Sequence, residues 1–275
     1  MARPSDLPDF SDPPVDEVVI GLFLHPIESF TDSLPIQLLE HLKPLGYTSF
    51  QIQGPLGLDD EHPNEPLERA RPPRIELLTS APPNRFWLGS PDERRIVQLQ
   101  RDALLSNWRR RGEAEYPHFE ELLTQFQSVQ AAFLTTLAEA EIAVPTVQQV
   151  EVSYTNWITE LGMEEWFRPA AAGLLTGRHA DSRSEASGWT SHHPVRDAAG
   201  TQLGRLRIDC QAAARLAKGE WVEGTQFALR ARFALDGTSA GEAIDTILEM
   251  GRETVVQAFT DLTTAQAHTK WGRTK

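Results

Sequence analysis

A chain of 275 residues can bury a substantial core, and its 24% charged and 40% hydrophobic residues are the balance of an ordinary globular protein. Its net charge of −13 disfavours a protein whose main task is gripping nucleic acid phosphates, because that term needs clustered Lys and Arg. The single Cys210 excludes an internal disulfide and suits a reducing cytoplasm, the first residues lack a signal-peptide pattern, and no run of about 18 apolar residues marks a membrane span.

Residues 1–14 carry Pro4, Pro8, Pro13 and Pro14 among acidic residues and read as a flexible arm. Residues 15–25 alternate Val18, Ile20, Leu22 and Leu24 on one face with Val19, Gly21 and Phe23 on the other. Both faces are apolar, which places this strand centrally. Leu38, Leu39 and Leu42 predict a short helix over about 34–45, stopped by Gly46, and residues 47–53 read as a second strand. The proline- and charge-rich stretch 54–74 is the candidate for a long mobile loop. A meander follows over 85–89, 95–101 and 103–110, with Ser90-Pro91-Asp92-Glu93 as turn chemistry.

The first long helix starts near Pro117. Phe119, Leu122, Leu123, Phe126, Val129, Phe133, Leu134 and Leu137 recur at steps of three and four, forming one apolar stripe. After Pro145 a strand runs to about Ile158. Residues 159–187 look irregular, apart from a short helix around 163–167. The last third predicts a hairpin from 188–195 and 203–213 around Asp197-Ala198-Ala199-Gly200, then a strand over 225–235. A second long helix is capped at Thr238 or Ser239, with a stripe of Ile244, Ile247, Leu248, Gly251, Val255, Phe259 and Leu262. A short helix over 264–271 closes the chain, capped by Thr263 with Gln266 three residues on.

Strand, short helix, antiparallel strands and long helix thus occur twice. The expected fold is a single compact α+β domain over 15–275, an internal duplication with halves 15–145 and 146–262. Its curved antiparallel sheet carries both long amphipathic helices on one face, since a helix with one apolar stripe must cover a sheet. Strands and helices do not alternate one for one, which disfavours a doubly wound parallel fold.

Walker, GxGxxG, GxSxG, HExxH and CxxC motifs are all missing, so no cofactor is implied and several enzyme classes lose ground. His192-His193 with Cys210 is a tempting metal or dyad set. With the turn centred on Ala198-Ala199, however, His193 faces Gly204 and Cys210 faces Ser187, on the order of 20 Å along the ladder, and no metal site is expected. The candidate binding residues are polar side chains inside strands: Gln98 with Gln100, Asn107 with Arg109, and Tyr154 with Asn156, each pair sharing a face. They compete with the plainer reading of a solvated sheet face. Amides suit recognition better than proton transfer, so no catalytic residue is assigned and binding is favoured over chemistry. Arg94-Arg95, Arg109-Arg110-Arg111 and Arg69/Arg71/Arg74 read first as solvated ends of strands and loops. Trp87, Trp108 and Trp157 are expected against the helices, and Trp271 is expected to dock the tail.

Pro13-Pro14-Val15-Asp16-Glu17-Val18-Val19, Phe86-Trp87-Leu88, Gln98-Leu99-Gln100-Arg101-Asp102 and Asn107-Trp108-Arg109 form a set of segments with Tyr116-Pro117-His118-Phe119-Glu120, Val150-Glu151-Val152-Ser153-Tyr154-Thr155-Asn156 and Trp271-Gly272. On these segments the chain resembles a sporadically distributed bacterial family of uncharacterised proteins of about this size. The resemblance implies one architecture and no particular chemistry, and the family's scattered distribution suggests a role accessory to mobile or conflict-related gene sets. The expected function is a non-enzymatic module that binds a partner protein or small ligand on its sheet or beneath the long helices. The alternatives are a hydrolase-like enzyme with acids such as Glu151 and Asp209 between the halves, and a DNA-associated regulator needing a basic face.

Overall fold

The computed structural model describes residues 7–56, 63–64, 84–169, 188–217, 219–235 and 241–275. The expected loop over 54–74 with Arg69, Arg71 and Arg74, most of the stretch 159–187, and the cap at Thr238 or Ser239 fall largely or wholly outside these residues.

Nine strands form one open antiparallel sheet, accompanied by five helices among the described residues. The strands are β1 (Val15–Leu24), β2 (Ser49–Gln53), β3 (Arg85–Gly89), β4 (Arg95–Gln100), β5 (Ala103–Arg109), β6 (Val147–Ile158), β7 (Gly188–Arg196), β8 (Gln202–Ala217) and β9 (Glu220–Ala234). Their spatial order is β2-β3-β4-β5-β1-β6-β9-β8-β7, so β1 and β6 lie side by side at the centre. The helices are α1 (Ser33–Leu42), α2 (His118–Glu139), α3 (Met163–Trp166), α4 (Gly241–Leu262) and α5 (Ala265–Lys270). No helix among the described residues is long and apolar enough to cross a membrane.

Register decides which side chains share a face. Val18 stands between Trp108 and Tyr154, Ile20 between Ser106 and Val152, and Leu22 between Leu104 and Val150. Tyr154, Val152 and Val150 in turn face Leu229, Ala231 and Phe233, which face Ile208, Leu206 and Gly204. This row forms the floor of the main core. Gly251 of α4 sits over it, so close to Val152 that a Cβ there would lie 3.0 Å from the Val152 side chain. The buried residues of α2, including Phe119, Leu122, Phe126 and Phe133, join the same core. Leu134, expected in that stripe, is exposed and lies at its edge.

Local chemistry accounts for several boundaries. Gly46 ends the turn of 3-10 helix after α1 at φ +89°, a backbone conformation that a Cβ disfavours. In the β3–β4 turn the Ser90 hydroxyl donates to Asp92 at 2.5 Å, and that bond holds the Asp92 carboxyl below its ordinary range. Thr264, rather than Thr263, caps α5, its hydroxyl accepting from the Ala267 amide at 3.3 Å. Thr263 is instead buried, donating to the Phe259 carbonyl at 2.6 Å and bonding His268 Nε2 at 2.7 Å.

The end of the N-terminal arm is tied down. Leu7 and Phe10 are buried, Ser11 and Asp12 donate backbone hydrogen bonds to the Gly272 and Trp271 carbonyls, and the Thr274 amide donates to Asp9. Phe10 packs edge-on to Phe259 at 5.5 Å. The prolines fix direction, while these two apolar side chains supply the anchor.

The β8–β9 hairpin is longer than periodicity suggests, running through Ala217 and Glu220. Its register with β7 differs by two residues from the expected one: His193 faces Leu206 and Cys210 faces Trp189. The cause is a five-residue turn, in which Asp197 binds the amides of Gly200 and Thr201, together with an irregularity at Val195–Arg196.

Candidate functional site

The six candidate polar residues divide between opposite faces of the sheet. Gln98, Gln100, Asn107 and Arg109 lie on the face away from α4, and they are occupied with one another and their neighbours. Gln98 donates to Asn107 at 2.7 Å and accepts from Arg85 and from the Trp87 indole at 2.9 and 3.1 Å. Asn107 and Arg109 both donate to Glu17 Oε1, at 2.7 and 2.8 Å. Gln100 accepts the Leu56 amide and donates to Asp102. Gln98, Gln100 and Asn107 are all buried, so this row is an internal polar seam rather than a solvated sheet face. Trp87 belongs to it too, with two cations over its ring: Arg109 lies 4.8 Å and Arg85 5.4 Å from its centroid. Trp157 likewise sits on this face, under Arg215 at 4.5 Å. Neither packs on a helix, because each occupies the opposite parity of its strand. Trp108 and Trp271 are buried in the main core.

The acids Glu151 and Asp209 also lie on this second face. Glu151 is gripped by Arg232 at 2.7 Å and lies 3.6 Å from Arg230, while Asp209 pairs with Arg207 at 2.7 Å. Two carboxylates each held by arginines are poorly arranged for sharing a proton between them.

Tyr154 and Asn156 point the other way, into a pocket under α4. Its floor is Val15, Tyr154, Asn156 and Leu229, from three adjacent central strands. One wall is the start of α2 with Tyr116, His118 and Phe119. The other is α4 with Arg252, Val255, Val256 and Phe259. Pro8, Phe10 and Pro13 of the anchored arm close the third side. The cavity, open to solvent on one side, measures about 60 Å³.

Its lining carries one carboxylate, Asp9, whose Oδ1 accepts the Phe10 amide at 3.0 Å, and one buried guanidinium, that of Arg252. The Tyr116 and Tyr154 hydroxyls are 2.9 Å apart and share a hydrogen bond. Burial, with Tyr154 beside it, pushes the Tyr116 phenol well above its ordinary range, so it stays protonated. Arg252 is the one cation of the lining with a buried guanidinium, and its charge is already balanced. It donates to Glu120 at 2.7 Å and Glu249 at 3.3 Å, stands 5.1 Å over the Phe119 ring, and is held above its ordinary pKa by those carboxylates despite burial. Asn156 donates to the Phe227 carbonyl at 3.1 Å. His118 lies at φ +63°, a backbone conformation uncommon for any residue but Gly, at the mouth where the chain turns into α2.

Tyr116, His118 and Arg252 are not among the candidate binding residues read from the sequence, although Tyr116 and His118 belong to a motif that carries the family resemblance. Tyr116-Pro117-His118 immediately before an amphipathic helix was the available signal, whereas Arg252 sits one step from an apolar stripe and looks like its solvated edge. Cys210, buried on the core face, has its thiol pushed up to about 12 by burial, which makes it an inert core residue. No protein-family model matches the chain, and no curated protein matches it in sequence.

Proposed function

We propose that the chain is a non-enzymatic binding module, and that its ligand is a small, uncharged, largely apolar molecule. The ligand inserts between the N-terminal arm, α2 and α4, with one hydrogen-bonding end against Tyr116 and Tyr154. The supporting observation is the pocket itself: apolar walls, a part-buried hydroxyl pair, and an arginine whose charge two glutamates already neutralise. Concave, mostly apolar sites with a few convergent polar groups are where small molecules bind. An anionic ligand would have to compete with Glu120 and Glu249 for Arg252. A volume of about 60 Å³ is less than half the ~150 Å³ of an apolar cavity known to take up benzene, so a single ring enters only part-way and leaves its far edge at the mouth.

Both long helices act as covers of one sheet face, on a chain built from two similar halves. Support for the second point is the strand order. β3, β4, β5 and β1 are adjacent in that sequence, as are β7, β8, β9 and β6, and each set is followed in the chain by a long helix.

A thermal-shift panel tests the ligand class. Phenol, benzyl alcohol and cyclohexanol at millimolar concentration should raise the melting temperature by about 3 °C at tenfold saturation, and benzoate should not. Val255→Trp, which fills the cavity, should abolish the response. A panel in which benzoate stabilises and the alcohols do not overturns the proposal.

A further inference from the structure

The two outermost strands differ in how they meet solvent. β7 is blunted: it carries Pro194, which offers no amide, together with His192, His193 and Arg196. β2, at the other end, reads Ser49-Phe50-Gln51-Ile52-Gln53, with no charge, no proline and no bulge in its pairing with β3. Its neighbour on one side is β3, and among the described residues nothing pairs with the other side. Ile52 is 58% exposed, and Ile36 of α1 is 52% exposed. Phe50 and Ile52 face Leu88 and Phe86, so both project to the side of the sheet where α1 lies, its leucines sharing a core with Leu88. An uncharged edge strand with an apolar side chain in water is the feature that natural sheets otherwise suppress.

The sequence of β2 is complementary to itself. When two copies are run antiparallel about a two-fold axis through Gln51, Phe50 falls opposite Ile52 of the other copy, Gln51 opposite Gln51, and Ser49 opposite Gln53. Apolar side chains then meet on the α1 side, amides meet on the other, and no charge is brought near a like charge. Moving the axis by one residue, to Phe50 or Ile52, sets one aromatic or one isoleucine on itself and leaves its apolar neighbour unmatched. We infer that β2 is the dimerisation edge of this protein: a second copy of the chain adds its own β2 in antiparallel register centred on Gln51, extending the sheet across the two-fold. Such isologous pairing needs the same patch twice and closes on itself. The five-residue edge alone buries less than a standard interface, so the association is weak, with dissociation constants on the order of 10 to 100 μM.

Sedimentation velocity on the full chain from about 1 μM to 1 mM tests this. The expected result is a monomer–dimer equilibrium. Gln51→Lys places two ammonium groups directly opposite and should weaken the dimer by up to about fivefold. A second variant reads register without relying on affinity. Under mild oxidation Gln51→Cys should cross-link to dimer far more completely than Ser49→Cys or Ile52→Cys, because only residue 51 meets its own copy. A chain that stays monomeric at 1 mM, a dimer indifferent to Gln51→Lys, or equal cross-linking from all three cysteines overturns the inference.

Discussion

Replacing Gln98 with leucine removes the hub of the polar seam while keeping its volume. In the protein, Gln98 donates to Asn107 and accepts from Arg85 and Trp87, so three hydrogen bonds vanish together. Arg85 and Trp87 are only half-buried and can recover water, whereas Asn107 is 4% exposed and is left with an orphaned acceptor. A net bond contributes about 1 kcal/mol, and a buried unsatisfied polar atom costs about 1–3 kcal/mol, so Gln98→Leu should lose about 2–4 kcal/mol of stability. Urea unfolding followed by circular dichroism measures this, and an unchanged slope against denaturant would show that the ensembles are otherwise comparable. The fragment response should persist in the variant, because the pocket lies on the opposite face. A loss below about 0.5 kcal/mol, or a vanished fragment response at unaltered stability, would refute the assignment of this row to structure rather than to binding.

Other consequences follow from single sites. His268 is buried between Thr263 and Arg273, and burial followed by the nearby Arg273 and Arg168 lowers its pKa below the ordinary 6.5. Its neutral form is therefore favoured in the fold. The stability it contributes is complete above about pH 6.5 and is lost as pH falls through its lowered value, and His268→Gln should flatten that part of the pH–stability curve. At Gly204 a Cβ would lie 2.5 Å from the Arg232 carbonyl oxygen, so Gly204→Ala forces backbone movement and should cost about 1–3 kcal/mol in the same unfolding assay. Arg252→Met leaves Glu120 and Glu249 without their shared cation where α2 meets α4. Those carboxylates retain some contact with water, so the loss should be about 2–3 kcal/mol, read as a lower melting temperature.

The central strand β1, the meander, both long helices and Gly46 were legible from period and turn chemistry, because each is specified by contacts close in sequence. The two-residue difference in register at β7–β8 was not. An Asp197 side chain that stretches the turn to five residues looks, in sequence, much like one that closes a shorter loop. The tip of the β8–β9 hairpin reads Ala212-Ala213-Ala214 and Glu223-Gly224, residues that do not favour strands. There pairing is carried by the continuing ladder and by Arg215 reaching Asp16 and Trp157. Tyr154 and Asn156 could be paired by alternation, but alternation cannot say which parity faces the helices. That is why Gln98, Gln100, Asn107 and Arg109 shared a candidate set with residues from the opposite face. Leu7 and Phe10 were the overlooked signal in the arm: apolar residues among prolines need somewhere to be buried.

The most direct measurement is a phenol titration of methyl-labelled protein followed by NMR. The proposed pocket predicts saturable shifts concentrated at Val15, Leu229, Val255 and Val256, and their loss in Tyr154→Phe, with methyls such as Val97 and Leu105 unmoved. Shifts absent from those four methyls, or clustered instead around Leu105 and Val19 on the opposite face, would contradict it.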